Sequence, residues 1–191
     1  MKTTLFNIFL LSFSTMACSI YSDHAMAEKN AIEKYDFLNS SYIIKDCGLN
    51  NNTEFLFPDP LKLINGGYTN KSPQSGEVIE AKLDNVKYID LDNDGETESV
   101  VELSVKALMD IGGGKEYFVF KNIDQKITQI FQTETIRGGH LILNKEKGTI
   151  NIIYPDYSQS DAICCPSLTT TDTYELRGDY IILRNRTSLK H

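Results

Sequence analysis

The sequence has no tryptophan, three histidines and four cysteines, and these shortages limit the chemistry that it can support. Outside the first 27 residues, the histidines that remain are His140 and His191. A nucleophile such as Ser167 or Cys165 would need His140 as its base, and we do not expect this pairing. A zinc site would lack nitrogen ligands, and adjacent cysteines do not easily share one tetrahedral ion. We therefore expect neither histidine-assisted catalysis nor zinc.

Basic residues are too few for a nucleic-acid partner. The chain has 19 lysines and arginines against 26 aspartates and glutamates, which gives a net charge of -7. Because no lysine- or arginine-rich stripe offsets this balance, neither nucleic acid nor an anionic membrane surface is expected as the main partner. Beyond the N-terminus no apolar run is long enough to span a bilayer. The length favours a single domain with a full core.

The first residues have the form of an export signal. Lys2 supplies the positive start, and an apolar stretch shorter than a bilayer span follows it, from Leu5 to Ala17. Ala25-Met26-Ala27 has the small-x-small form of a cleavage site, which predicts a signal peptide over 1–27 and one periplasmic or secreted domain over 28–191. Thr15-Met16-Ala17-Cys18 resembles a bacterial lipobox, so the alternative is a lipoprotein anchored to the membrane through Cys18. Both alternatives place the product outside the cytoplasm.

The remaining cysteines fit an oxidising compartment. Cys47 lies early in the domain, and Cys164 and Cys165 form an adjacent pair. We expect Cys47 to be bridged to one member of the pair, with a vicinal disulfide between Cys164 and Cys165 as the alternative. No Cys-x-x-Cys spacing is present, and no basic residue lies close in sequence to Cys164 or Cys165 to lower a thiol pKa, so a structural role is favoured over a redox role.

Alternating apolar and polar residues, with turn signals between them, predict a mainly β protein. We expect antiparallel hairpins or a meander in one β domain, with turns at Gly112–Gly114, Gly138–Gly139, Lys147–Gly148 and Arg177–Asp179. One short N-terminal helix is predicted from Glu28 to Leu38, where apolar residues recur at helical spacing. The predicted strands are Tyr42–Lys45, Glu54–Phe57, Glu77–Leu83, Val86–Ile89, Glu98–Lys106, Tyr117–Lys121, Ile127–Thr133, His140–Asn144, Thr149–Tyr154, Thr169–Leu176 and Tyr180–Arg184.

The strand from Glu98 to Lys106 shows the alternation clearly, and it predicts one packed face and one solvated face. The packed face would carry Val101, Leu103 and Val105. The solvated face would carry Glu102, Ser104 and Lys106.

An acidic loop between two predicted strands is the most informative stretch. Aspartates stand at its first, third and fifth positions, Gly95 at the sixth permits a sharp turn, and a glutamate at the ninth can close the site. Carboxylate oxygens in this pattern suit a hard cation and predict a Ca²⁺ site with weak, extracellular-range affinity. The predicted ligands are Asp90, Asp92, Asp94, Glu96 and Glu98.

The same loop has a metal-free interpretation. Aspartate side chains can accept hydrogen bonds from nearby backbone amides and stabilise a solvated turn without any ion. An EF-hand is excluded because its twelfth position would fall on Val101, so a metal site here must close through Glu98.

Two resemblances follow from these motifs. The loop from Asp90 to Glu98 resembles the Asp-x-Asp-x-Asp-Gly loops of FG-GAP and related extracellular repeats, which implies calcium binding between two strands. Asp161-Ala-Ile-Cys-Cys-Pro-Ser167, followed by the hairpin around Tyr174–Tyr180, resembles the end of LppP/LprE-type bacterial envelope lipoproteins. Members of that family also have an aspartate-rich loop before a later Cys-Cys-Pro-Ser motif, and this order would cover Val86 to Leu183 here. The resemblance implies an envelope protein and supplies no reaction.

Two functions from different classes fit these observations. The favoured one is a non-enzymatic cell-envelope module, stiffened by calcium and a disulfide, that binds another envelope protein or a cell-wall component. Such a module should expose an aromatic strip, with Tyr154 and Tyr157 as candidates. The alternative is an extracytoplasmic hydrolase that acts through two carboxylates. Its candidate acids are Glu96, Glu98, Glu102, Asp156 and Asp161.

Overall fold

The computed structural model describes residues 31–44, 57–71, 78–106, 113–136, 138–162 and 164–191. Antiparallel strands dominate these residues, which confirms the mainly β prediction. The signal segment, Cys18 and Cys47 lie outside the described residues. The strands are β1 (Ser41–Tyr42), β2 (Leu61–Lys62), β3 (Gly67–Lys71), β4 (Val78–Ile89), β5 (Glu98–Lys106), β6 (Gly114–Ile123), β7 (Lys126–Ile136), β8 (His140–Asn144), β9 (Thr149–Asp156), β10 (Leu168–Arg177) and β11 (Tyr180–Lys190).

The predicted helix from Glu28 to Leu38 is wrong in its described part, and residues 28–30 lie outside the description. Two 3₁₀ turns, Ile32–Lys34 and Phe37–Asn39, replace it, with Tyr35 in extended conformation between them. Ile32 and Phe37 are both buried in one core. Five residues apart on an α-helix, they would point about 140° away from each other. The extended Tyr35 lets both side chains reach the same sheet.

The strands form two meandering sheets and a small ribbon. β3 to β7 pair in order as a five-stranded sheet, β8 to β11 pair in order as a four-stranded sheet, and β1 pairs with β2. Gly138–Gly139 was predicted to be a hairpin turn, and this is wrong because β7 and β8 belong to different sheets. The two glycines lie where the chain crosses from one sheet to the other. Gly178–Asp179 does form the predicted turn between β10 and β11.

Strand boundaries differ from prediction where irregular pairing occurs. β4 is continuous through the predicted break before Val86, because a pairing irregularity between Leu83 and Asn85 absorbs the change of register. β2 and β3 lie in segments where no strand was predicted. In the described parts of two predicted strands, residues 43 and 44 and Phe57 are not in strands. Among the described residues, no helix has the length and apolar character needed to cross a membrane.

The five-stranded sheet is covered on both faces, which corrects the predicted solvated face of β5. Val101, Leu103 and Val105 pack with the N-terminal turns in the first core, as predicted. The opposite face packs against the four-stranded sheet in a second core. Its buried members are Leu91, Val100, Tyr117, Val119, Leu141, Ile150, Ile152, Tyr174 and Leu176. β5 is therefore a central strand of a layered protein.

Glu102 shows how a charge is accommodated on that covered face. Its side chain is buried, and its two carboxylate oxygens lie 3.4 Å from the ammonium of Lys87 and 3.7 Å from that of Lys115. Ser104 is half-buried and Lys106 is exposed, so exposure increases toward the end of the strand. The alternation of charge in β5 thus reflects ion pairing within the sheet as well as solvation.

Candidate metal centre

The acidic loop joins β4 to β5 and is anchored by both sheets. Leu91, inside the loop, is 1% exposed and belongs to the second core. Gly148, in the turn between β8 and β9, packs on the backbone of the loop, since a Cβ atom there would lie 2.3 Å from the Leu91 carbonyl oxygen. The loop is therefore held from below by an apolar side chain and from the side by a neighbouring turn.

Local backbone geometry explains the tight turn. Asn93 and Gly95 adopt left-handed conformations, with φ of 60° and 89°, which suit asparagine and glycine. The Asp94 amide donates to Asp92 Oδ1 at 3.3 Å, and the Glu96 amide donates to Asp94 Oδ1 at 2.7 Å. These are the side-chain-to-backbone bonds expected of an acidic turn without metal. They fold the loop but do not use all of its carboxylate oxygens.

Three carboxylates converge on one side of the loop. Asp90, Asp92 and Glu98 each offer an oxygen atom, and these atoms lie within 4.8 Å of one another. We call these residues the carboxylate cluster. It could hold a metal ion, because three convergent oxygens are the start of a hard-cation coordination shell.

Glu98 is the central member of the cluster. Its side chain is fully buried, and its Oε2 accepts a hydrogen bond from the Leu91 amide at 2.8 Å. Within the described part of the chain, neither Glu98 Oε1 nor Asp90 Oδ1 accepts a hydrogen bond. Buried carboxylate oxygens without donors are costly. Both atoms therefore fit a site for a cation.

The protonation of Glu98 reflects the same environment. Burial raises the pKa of Glu98 to about 7, and the nearby charges of Asp92 and Asp94 add to the rise. The hydrogen bond from the Leu91 amide and the charge of Lys121 oppose it. Ionised Glu98 is thus incompletely compensated by its protein neighbours.

Lys121, two residues before the end of β6, supplies a positive charge that sequence reasoning did not assign to the site. Its ammonium donates to Asp92 Oδ2 at 2.9 Å and to Asp94 Oδ2 at 3.0 Å, and it lies 3.6 Å from Glu98 Oε1. Burial alone would lower the pKa of Lys121, but the hydrogen bonds to Asp92 and Asp94 outweigh it and raise the pKa. The lysine is firmly charged.

Asp94 and Glu96 complete the predicted ligand set, and the structure gives them other positions. Burial alone would raise the pKa of Asp94, but the Glu96 amide and Lys121 outweigh it and lower the pKa. Asp94 lies beside the carboxylate cluster, where its Oδ2 accepts a hydrogen bond from the Lys121 ammonium. The Glu96 side chain is exposed, and the Glu96 backbone amide contributes to the loop by its hydrogen bond to Asp94.

A sequence signal for Lys121 did exist. It is the charged residue that follows the apolar run Tyr117-Phe-Val-Phe120, and it is the last residue of the predicted strand Tyr117–Lys121. In the antiparallel pairing, Ser99 lies opposite Phe120, which brings the next residue of β6 beside Glu98. Finding it would have required the register of β5 and β6, which is a non-local property.

The other candidate acids are engaged in separate structural contacts. Asp156 accepts a hydrogen bond from the Thr170 hydroxyl at 2.8 Å. Asp161 accepts hydrogen bonds from the Ser158 hydroxyl at 2.6 Å and from the backbone amides of Ser158 and Ser167 at 2.7 and 2.8 Å, and these hydrogen bonds lower its pKa. Asp161 therefore closes the loop that carries the Cys-Cys-Pro-Ser motif.

The predicted aromatic strip and the predicted disulfide also look different in the structure. The Tyr154 hydroxyl donates to buried Asp172, so this ring is half-buried instead of exposed. Cys164 and Cys165, both exposed, are joined in a vicinal disulfide. That is the second of the two arrangements considered, and with this pairing neither cysteine is left for the expected bridge to Cys47.

Comparison with known proteins found no matching protein family, no matching curated protein and no matching solved structure. The resemblances to FG-GAP loops and to LppP/LprE-type lipoproteins therefore stay predictions.

Proposed function

We propose that the protein is a non-enzymatic binding module of the bacterial cell envelope whose acidic loop is stabilised by calcium. The observation that carries this proposal is the fully buried Glu98 carboxylate, which has one oxygen without a hydrogen-bond donor and faces Asp90 and Asp92. A divalent cation would supply the compensation that the protein neighbours leave incomplete. Asp90, Asp92 and Glu98 would hold the ion, with Asp94 next to them.

Calcium is proposed over magnesium because of the ligand geometry that each ion accepts. Calcium takes six to eight oxygen ligands in flexible arrangements, whereas magnesium requires a near-ideal octahedron and releases water reluctantly. A cluster of three carboxylates with the rest of the shell left to water suits weak calcium binding. The envelope location rests on the predicted export signal and on the resemblance to envelope lipoproteins.

A groove beside the loop is the proposed binding surface. It has a volume of about 570 Å³ and is lined by residues that include Lys87, Tyr88, Asp90, Thr97 and Lys145. Tyr88 is 41% exposed, so an aromatic ring is available to a ligand. Asp90 belongs both to the groove and to the carboxylate cluster. An ion on Asp90 would therefore stiffen one wall of the groove.

The hydrolase alternative has less support. Glu98 has the raised pKa expected of a catalytic acid, but its side chain is 0% exposed. A general acid must come within hydrogen-bond reach of its substrate. Burial of Glu98 in the loop thus favours a role in the cation site.

Calcium should raise the melting temperature of the purified protein. At a tenfold excess over Kd, a single site that exists in the folded state stabilises it by about 1.4 kcal/mol, which corresponds to roughly 3–6 °C for a protein of this size. The double variant Asp90→Asn/Asp92→Asn should lose this rise, because it removes two of the three cluster charges. Isothermal titration calorimetry and thermal melting in calcium and in magnesium check the prediction.

The matched control is Asp59→Asn/Asp179→Asn, which removes the same charge from two exposed aspartates outside the cluster. It should keep the calcium response of the unmodified protein. No binding heat and no shift in melting temperature at millimolar calcium would reject the metal site. Equal responses in both double variants would assign calcium binding to another part of the chain.

A further inference from the structure

The ammonium of Lys121 competes for the same carboxylates as the proposed ion. It hydrogen-bonds Asp92 and lies 3.6 Å from Glu98, and both of these residues belong to the carboxylate cluster. Asp94 supplies its third acidic contact. Two of the three groups that would hold a metal ion are thus already in contact with a protein cation.

Lys121 is also a built part of the site. It is 7% exposed, whereas surface lysines are usually solvated and mobile. β6 carries it to the loop through the pairing with β5, so its position is fixed by the sheet. A buried lysine that makes two hydrogen bonds to carboxylates holds them in place as a bound cation would.

We propose that Lys121 is the resident cation of the acidic loop, and that calcium binds by displacing its ammonium from Asp92 and Glu98. This inference rests on the proposed calcium site and describes how that site is regulated. Without calcium, Lys121 keeps the loop folded. With calcium, the ammonium leaves the cluster because two cations that share the same carboxylates repel each other.

Displacement explains why the site should respond only to high calcium concentrations. A lysine side chain is attached to the strand, so its effective concentration at the loop is high and does not vary. Calcium must overcome it with a larger charge and more oxygen ligands. Lys121 therefore sets the threshold of the response, and its removal should convert a weak site into a tighter one.

The direct test replaces Lys121 and measures calcium binding by calorimetry. Lys121→Met keeps much of the side-chain volume but removes the charge, and it should lower the Kd for calcium by about tenfold or more, equivalent to about 1.4 kcal/mol. Its melting temperature should fall below that of the unmodified protein without calcium, and calcium should restore it. Lys121→Arg keeps a competing cation and should stay a weak calcium binder.

A matched control comes from the same strand. Lys115 is a half-buried lysine of β6 whose partners are Asp84 and Glu102, outside the cluster. Lys115→Met should lose stability without any change in calcium affinity. This control separates the removal of a competing charge from the general effect of losing an ion-paired lysine.

A second measurement uses the unmodified protein, so it does not depend on a variant that folds. Acetylation of lysine amines by an N-hydroxysuccinimide ester, read by mass spectrometry, reports how accessible each ammonium is. Acetylation of Lys121 should increase several-fold when calcium is added, while that of Lys115 should stay constant. A lysine with only a structural role would be unchanged or better protected.

The outcomes distinguish this inference from the proposed function. Tighter binding by Lys121→Met, together with calcium-induced acetylation of Lys121, supports displacement. Calcium binding by the unmodified protein that Lys121→Met leaves equal or weakens overturns the displacement and keeps the calcium site. An absence of binding in the unmodified protein, Lys121→Met and Lys121→Arg overturns both.

Discussion

Replacement of Gly148 by alanine is expected to lower the melting temperature by roughly 9 °C, equivalent to about 3 kcal/mol of unfolding free energy. Gly148 has a φ of 60°, and an added Cβ atom would lie 2.3 Å from the carbonyl oxygen of Leu91. A left-handed backbone costs an alanine about 1–2 kcal/mol. The collision adds to this cost because the atom that must move is backbone.

Gly178→Ala is the matched control for Gly148→Ala. Gly178 has a φ of 61°, in the turn between β10 and β11, and an added Cβ atom there would meet no atom within 4 Å. Gly178→Ala should cost only the left-handed backbone term, about 1–2 kcal/mol. Thermal or urea unfolding of both variants measures the difference. Equal losses of stability would show that the β8–β9 turn does not press on the acidic loop.

The same comparison has a consequence for the proposed calcium site. The peptide that Gly148 contacts belongs to Leu91, whose amide donates to Glu98 Oε2. A displaced Leu91 backbone would shift the buried carboxylate, so Gly148→Ala should also reduce the calcium-induced rise in melting temperature. Gly178→Ala should leave that rise intact. The turn of one sheet would then position the ligand loop of the other.

The sequence predicts the carboxylate cluster well because its members are close in the chain. Asp90, Asp92 and Glu98 lie within nine residues, and Gly95 marks the turn that brings them together. A loop of this size is determined mainly by local preferences, such as the left-handed conformation of Gly95. The predicted strand boundaries on either side, Ile89 and Glu98, are also confirmed.

Contacts that cross between strands and sheets could not be predicted in the same way. Lys121 reaches the cluster through the β5–β6 register, and Gly148 reaches the Leu91 backbone of the same loop from the other sheet. Register and sheet packing depend on distant pairings, which a single sequence does not specify. Lys121 and Gly148 were therefore missed, although the three members of the carboxylate cluster were among the five predicted ligands.

The predicted N-terminal helix and the predicted solvated face of β5 were wrong for a related reason. Ile32 has helical spacing with Tyr35, yet two short 3₁₀ turns bury Ile32 and Phe37 on the same sheet. Glu102 was assigned to solvent because it is charged, and tertiary ion pairs bury it. In both cases packing against a second layer overrides a local pattern.

Replacement of Arg186 by alanine is the second large effect that we expect, at about 2 kcal/mol or roughly 6 °C in melting temperature. Arg186 donates to the two oxygens of Asp172 at 2.6 and 2.7 Å, and the Asp172 side chain is 4% exposed. Removal of one partner from a buried pair leaves an uncompensated charge. The expected loss of stability is smaller than for a fully buried ion pair because the Arg186 side chain is itself 56% exposed.

The matched control lies two residues away on β11. Arg184 pairs with Glu175, a carboxylate more exposed than Asp172, so Arg184→Ala should cost clearly less than Arg186→Ala. Urea unfolding at neutral pH measures both. Equal losses would mean that the burial of Asp172 contributes nothing to the pair.

The pH dependence gives a sharper test of the same ion pair. Burial alone would raise the pKa of Asp172, but the hydrogen bonds and charge of Arg186, with hydroxyl donors from Tyr154 and Tyr174, hold it below its usual range. Because the pKa is lower in the folded state, ionised Asp172 stabilises the protein fully above about pH 4, the unfolded value. This stabilisation is lost as the pH falls through the folded-state pKa.

The difference in stability between the unmodified protein and Arg186→Ala should therefore be constant at neutral pH and shrink below about pH 4. A difference that persists unchanged in acid would mean that Arg186 acts through packing of its apolar stem and not through its charge.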